Sequence, residues 1–202
     1  MLPQLRRGLL PARFTEQAAF LIARTGLSPN ALTIMGFVVN VGVAAVLATG
    51  NLFVGGLLIL FSGVFDLLDG AVARATKQST RFGALLDSTL DRFSEAVILF
   101  CLLVLFTGQQ ATQEILLIYA TIVGSVLVSY VRARAEGLGL KCEVGLFSRT
   151  ERVILLALGL LLNQTLIVLW VLAVFTNMTA AQRVLYVWQQ VGRPPRSTSG
   201  QE

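Results

Sequence analysis

Apolar residues gather into long runs along this chain, and short polar stretches separate the runs. A helix needs about 20 mostly apolar residues to cross the hydrocarbon core of a membrane. The runs are continuous, whereas the strands of a membrane β-barrel alternate apolar and polar residues. We therefore expect an all-α integral membrane protein with six transmembrane helices. The predicted spans are Asn30–Thr49, Leu52–Ala73, Gly83–Thr107, Thr112–Val131, Val153–Leu162 with its flanks, and Thr165–Trp188.

The two ends of the chain are more polar than these runs. Residues 1–29 mix basic and apolar positions, which predicts an interfacial amphipathic helix; the alternative is a positively charged flank without that helix. Residues 192–202 read GRPPRSTSGQE, a polar and proline-containing composition typical of disorder. We expect one membrane domain over residues 1–191 and a disordered cytoplasmic tail over 192–202.

Composition and charge agree with a membrane protein and indicate its orientation. The mean hydropathy is +0.75 and only 13% of the residues are charged, which excludes an ordinary soluble domain. The connections near Gly50, Gly108 and Asn163 contain no Lys or Arg, whereas the other connections and both ends are basic. The positive-inside rule then places both termini and the polar connections on the cytoplasmic side of the cell membrane. We expect no nucleic-acid partner.

Four aspartates lie at the predicted cytoplasmic ends of spans two and three. Asp66 and Asp69 are three residues apart and Asp87 and Asp91 are four apart, so each pair shares a helix face. Four uncompensated carboxylates in a membrane would cost roughly 10 kcal/mol, and divalent cations would offset that cost. The chain has no histidine, and an all-oxygen site suits Mg²⁺ or Mn²⁺. Four carboxylates are enough for two ions, as in two-metal sites for displacement at phosphorus.

The same aspartates fit two other roles. They can form a proton relay or an ion pathway, or they can pair with Arg74, Arg81 and Arg92 in a structural network. The residues Gly70, Ala73 and Gly83 favour a diphosphate site, because small side chains leave room for a ligand and Arg74 offers a guanidinium to a phosphate. Each small residue taken alone is also typical of ordinary packing between membrane helices.

Residues 66–91 carry the pattern D-x₂-D-G-x₂-A-R-x₈-G-x₃-D-x₃-D, and this segment resembles the signature of the CDP-alcohol phosphatidyltransferases. The resemblance implies that a CDP-linked lipid is the donor, that an acceptor hydroxyl attacks the phosphorus carrying the lipid, and that CMP leaves. It implies that Asp66, Asp69, Asp87 and Asp91 hold metal ions and that Asp91 is also the general base. It implies a nucleotide and diphosphate site made of Asn30, Ala31, Leu32, Thr33, Gly70, Ala73, Arg74, Thr80 and Gly83.

Three basic segments, YVRARAEGLGL, SRTERVILL and AQRVLYVW, resemble those of prokaryotic phosphatidylinositol phosphate synthases and their archaeal ether-lipid relatives. This likeness implies CDP-diacylglycerol or CDP-archaeol as donor, inositol 1-phosphate as acceptor, and a homodimer. The implied ligands of the acceptor phosphate are Arg132, Arg134, Arg149, Arg152 and Arg183. Two alternatives remain: a phosphatidylglycerophosphate synthase, with glycerol 3-phosphate as acceptor, and, in another class, a small ion transporter.

Overall fold

The computed structural model describes residues 28–75 and 80–191, and within residues 64–75 it describes the backbone only. This part of the chain contains six helices: α1 Pro29–Ala48, α2 Leu52–Ala75, α3 Arg81–Gly108, α4 Thr112–Gly137, α5 Arg149–Leu161 and α6 Thr165–Val191. The prediction of an all-α architecture is confirmed over these ranges. Residues 1–27, which carry most of the predicted interfacial helix, and the predicted tail of 192–202 lie outside them.

The helices differ in their ability to cross a membrane. By length and composition α1, α4 and α6 qualify, while the described apolar part of α2, Leu52–Gly63, is shorter. The 13 residues of α5 rise only about 20 Å, which is less than the hydrocarbon thickness of about 30 Å. The charged residues Asp91, Arg92 and Glu95 interrupt the apolar pattern of α3. The length and composition of these helices are those of a membrane protein. The full set of six spans stays a prediction.

Polar side chains fix where three of the helices begin. The hydroxyl of Ser28 accepts the N–H of Ala31 at the start of α1, and the hydroxyl of Thr80 accepts the N–H of Gly83 at the start of α3. Ser148 and Glu151 form a capping box at the start of α5, in which each side chain accepts a backbone N–H of the other residue. These caps satisfy N–H groups that have no partner within the helix.

The described helices pack in a closed ring, in the order α1, α2, α5, α6, α4, α3 and back to α1. Their inward faces form one apolar core, whose fully buried members include Leu47, Ile59, Leu102, Ile118 and Leu169. Short turns join α1 to α2, α3 to α4 and α5 to α6, and the backbone is left-handed at Gly50, Gln110 and Asn163 within them. Successive helices therefore run in opposite directions. The starts of α1, α3 and α5 meet the ends of α2, α4 and α6 at one end of the bundle, which we call the polar end.

Candidate active site at the polar end of the bundle

The starts of α1 and α3 come together at the polar end. A Cβ atom built on Gly83 would lie 2.8 Å from Oδ1 of Asn30 and 3.0 Å from Oγ1 of Thr80. A side chain at position 83 would therefore displace at least one of these two polar groups. The structure thus places together three residues that the sequence assigned to one nucleotide site.

The remainder of the predicted nucleotide segment forms the first turn of α1. Thr33 donates its hydroxyl to the carbonyl of Pro29 at 3.1 Å, and Leu32 is buried. Ala31 is half-buried, and its N–H is held by Ser28. Gly70, Ala73 and Arg74 belong to the part of α2 of which the structure describes the backbone only.

The predicted metal ligands divide between two helices. Asp87 and Asp91 are half-buried, one turn apart on α3. Asp66 and Asp69 lie on the backbone of α2, and their side chains fall outside the description. Among the described side chains no group of three or more carboxylates or thiols is close enough to hold a metal ion. The two described candidates, Asp87 and Asp91, offer carboxylate oxygens, and Gly83 lies one turn before Asp87. Oxygen ligands of this kind fit Mg²⁺ or Mn²⁺.

Asp91 makes an ion pair with the first residue of α5. Nη1 of Arg149 lies 2.7 Å from Oδ1 of Asp91, and both side chains are about one quarter exposed, at 27% and 23%. A guanidinium predicted to bind the acceptor phosphate therefore lies against the carboxylate predicted to act as the base. The capping box of Ser148 fixes the helical turn from which Arg149 extends.

One turn deeper, a second ion pair joins the same two helices. Nε and Nη2 of Arg152 donate to Oε1 and Oε2 of Glu95 at 2.7 and 2.8 Å, and the hydroxyl of Ser125 on α4 donates to Oε1 at 2.9 Å. The side chains of Arg152 and Glu95 are only 4% and 10% exposed. Arg152, which was predicted to bind the acceptor phosphate, is thus buried in an ion pair with Glu95.

Glu95 and Ser125 are residues that the sequence patterns did not single out. Glu95 stands one turn after Asp91 in a predicted span, and a charged side chain at such a position is uncommon without a partner. That signal was available, but it does not identify Arg152 as the partner.

The other predicted acceptor ligands occupy different surroundings. Arg183 is buried and donates from Nη1 to the carbonyl of Val128 at 2.5 Å and from Nε to that of Val144 at 2.8 Å. Arg132 pairs with Glu136 one turn along α4, at 2.8 Å, and Arg134 is exposed. The structure therefore brings Arg149 into contact with Asp91 and holds Arg183 against main-chain carbonyls.

Comparison with known proteins gives a consistent result. Residues 26–184 match the family model described as CDP-alcohol phosphatidyltransferase. The archaetidylinositol phosphate synthase of Methanothermobacter thermautotrophicus is 39% identical over 182 residues, which are 83% of this chain and 87% of the relative. The phosphatidylinositol phosphate synthase of Mycobacteroides abscessus is 37% identical over 204 residues, covering 95% of this chain and 92% of the relative.

Solved structures show the same likeness. The crystal structure of Mycobacterium tuberculosis phosphatidylinositol phosphate synthase with CDP-DAG bound superposes with a TM-score of 0.82 at 32% identity, covering 94% of this chain and 99% of that one. The same enzyme in complex with manganese and citrate also gives a TM-score of 0.82, with 93% of each chain covered. Fold and sequence similarity thus extend over nearly the whole length.

Proposed function

Because this chain belongs to the CDP-alcohol phosphatidyltransferase family, we propose that it transfers a phosphatidyl group, or its ether-lipid equivalent, to inositol 1-phosphate and releases CMP. CDP-diacylglycerol or CDP-archaeol would be the donor. The similarity to relatives named as inositol phosphate synthases, over more than four fifths of this chain, supports this acceptor.

The contact between Arg149 and Asp91 is the observation that carries the proposal. Inositol 1-phosphate offers a phosphate and a reacting hydroxyl on one small molecule. Arg149 offers a guanidinium suited to the phosphate, and the carboxylate of Asp91, 2.7 Å away, is suited to accept the proton of the hydroxyl. An acceptor without a phosphate, such as serine, would have no use for the arginine.

The proposed reaction is a displacement at the phosphorus that carries the lipid. The bond from the acceptor oxygen to phosphorus forms, the bond from phosphorus to the CMP oxygen breaks, and the hydroxyl proton passes to Asp91. We assign Asp66, Asp69, Asp87 and Asp91 to two divalent ions, in line with the manganese in the related enzyme. When bound, such ions offset the negative charge of the diphosphate and of departing CMP.

The donor would bind at the meeting point of α1, α2 and α3. Asn30 and Thr80 flank Gly83, whose missing side chain lets their side-chain oxygens lie close to its backbone. There these polar groups would contact the nucleotide or diphosphate. We assign Gly70, Ala73 and Arg74 to the same site, with Arg74 on a phosphate and Ala31, Leu32 and Thr33 shaping the first turn of α1.

The acceptor would bind between α3 and the arginines of α4, α5 and α6. We propose Arg149 as the direct ligand of its phosphate. Arg183, with two donors on carbonyl groups, and the more exposed Arg132 and Arg134 would supply positive charge around it. This charge would draw in a dianionic acceptor more strongly than a neutral one.

The remaining expectations also stay proposals. They are six spans, a helix along the membrane surface within residues 1–29, the boundary at residue 191, a homodimer, and both termini with the active site on the cytoplasmic face of the cell membrane. Cysteine accessibility from either side of a sealed vesicle would test the orientation.

Release of CMP by the purified protein in detergent tests the function. The assay contains CDP-diacylglycerol and Mg²⁺, and inositol 1-phosphate, glycerol 3-phosphate, inositol and serine are supplied in separate reactions. Turnover with inositol 1-phosphate alone is expected. Turnover with glycerol 3-phosphate alone would keep the mechanism and replace the acceptor. Inactivity with every acceptor, repeated with CDP-archaeol, would refute the proposal and favour the ion-transporter alternative.

A further inference from the structure

Two acid–arginine pairs connect α3 to α5 at matched spacing. Asp91 and Glu95 are four residues apart on α3, and Arg149 and Arg152 are three apart on α5. Those separations correspond to rises of about 6 Å and about 4.5 Å, so the pairs stack as two rungs. The outer rung, Asp91 with Arg149, belongs to the proposed active site, and the proposed reaction leaves the inner rung unused.

The inner rung has the features of a fixed structural element. Glu95 accepts three hydrogen bonds, two of them from the fork of Arg152, and a paired fork of this kind fixes both distance and orientation. Two cavities of about 20 Å³, each near the size of a single water molecule, flank Glu95. The side chains of Arg152 and Glu95 are only 4% and 10% exposed, so the pair is shielded from bulk water, which strengthens the attraction between its charges.

The inner rung also determines where the outer arginine can lie. Arg152 and Arg149 are in the same first turns of α5, so a fixed Arg152 guanidinium fixes the start of that helix against α3. Ser125 extends the connection to α4. Both arginines are ion-paired, but Arg152 is only 4% exposed, whereas Arg149 is 27% exposed, so Arg149 is the guanidinium on this turn that an incoming phosphate can reach.

We propose that Glu95 is a positioning residue for the acceptor: by holding Arg152, with the help of Ser125, it places Arg149 where the acceptor phosphate binds. This inference rests on the proposed function and deepens it. Glu95 touches neither substrate, and its removal should affect the acceptor far more than the donor.

Kinetics of three variants test the inference. Glu95→Gln leaves Arg152 buried without a carboxylate, whereas the double variant Glu95→Gln with Arg152→Met removes both charges and avoids an unpaired one. Ser125→Ala removes only one hydrogen bond. Thr121→Val is the matched control, because Thr121 is also buried on α4 and lines one of the two cavities, but its hydroxyl donates to Leu117 of its own helix.

We expect KM for the acceptor to rise about 10- to 100-fold in Glu95→Gln and in the double variant, the range found when residues that support metal ligands are replaced. The donor KM should stay at the wild-type value. The melting temperature should fall in the single variant and recover in the double variant. Ser125→Ala should shift the acceptor KM in the same direction by a smaller factor, and Thr121→Val should not shift it.

A purely structural role gives a different pattern. If the double variant regains both the melting temperature and the wild-type acceptor KM, or if both substrates weaken equally, the inference is wrong. Should the double variant fail to fold, equal kinetics for Ser125→Ala and Thr121→Val would overturn it instead. A wild type active only with acceptors that lack a phosphate would refute the proposed function as well, whereas an active wild type with unaffected Glu95 variants refutes this inference alone.

Discussion

Replacing Gly83 by alanine is expected to weaken the binding of the CDP-linked donor more than it weakens the fold. The added methyl group would lie 2.8 Å from Oδ1 of Asn30 and 3.0 Å from Oγ1 of Thr80, both closer than ordinary packing allows. Thr80 caps α3 through a 2.9 Å hydrogen bond from the N–H of Gly83, and that bond holds it in place. The amide of Asn30 ends a short side chain that can rotate, so Asn30 should give way.

The magnitudes separate the effect on the fold from the effect on the site. Overpacking costs roughly 1–3 kcal/mol, and a rotating Asn30 keeps the cost near the lower value. Alanine within a helix gains about 0.5–1 kcal/mol over glycine, so the net change in stability should be small. A lost hydrogen bond from Asn30 to a charged nucleotide would cost about 1.5–3 kcal/mol, which corresponds to about 10- to 150-fold in donor affinity.

Initial rates of CMP release at varied CDP-diacylglycerol, together with a melting curve, measure both effects. Gly108→Ala is the control, because it changes the same residue type on the same helix and its new Cβ would meet no heavy atom within 4 Å. A Gly83→Ala enzyme with wild-type donor KM would refute the assignment of Asn30 and Gly83 to the nucleotide site. A rise in the acceptor KM alone would instead assign Asn30 and Gly83 to the binding of the acceptor.

Three further predictions concern the base, the metal and the start of α5. Asp91→Asn should lower kcat by at least about 100-fold, because the proton acceptor is lost, and near-normal CMP release would remove Asp91 from the mechanism. Chelation with EDTA should abolish turnover, and Mg²⁺ or Mn²⁺ should restore it; activity that survives chelation would contradict the assigned ions. Ser148→Ala should lower the stability by about 1 kcal/mol through loss of the cap, whereas Ser148→Asp should keep both the cap and the stability. Melting curves that fail to separate these two variants would argue against the cap.

The hydropathy pattern predicted most helices well because membrane helices and apolar runs nearly coincide. It predicts the apolar span and does not reveal how far the helix continues beyond it. The fourth span was predicted to end at Val131, but α4 continues to Gly137 and carries Arg132 and Arg134 with it. The apolar run of the fifth span begins at Val153, but α5 begins at Arg149 because of its capping box. That box follows the S-x-x-E pattern in the sequence and was a usable signal.

The site was less predictable than the fold, because contacts between distant helices decide the role of each charge. Spacing along one helix correctly indicated that Asp87 and Asp91 share a face. Spacing cannot reveal which arginine has an internal partner. Arg149 and Arg152 look equivalent in the sequence, yet Arg149 pairs with Asp91 and Arg152 is buried against Glu95. Arg183 likewise donates to two main-chain carbonyl groups, and no pattern of residue types predicts those contacts.

The position of α3 explains why both rungs matter for the proposed transfer. The proposed donor-binding residues lie on α1, α2 and the start of α3, whereas the proposed acceptor arginines lie on α4, α5 and α6. Only a fixed distance between these halves brings the acceptor hydroxyl within reach of the donor phosphorus, and a displacement of about 1 Å can cost about 100-fold in rate. The pairs of Asp91 and Glu95 with α5, and the bond from Ser125 on α4, tie the acceptor half to the helix that carries two of the proposed metal ligands. In this proposal the buried ion pair aligns the two substrates, a role that apolar packing at the same positions would not fill.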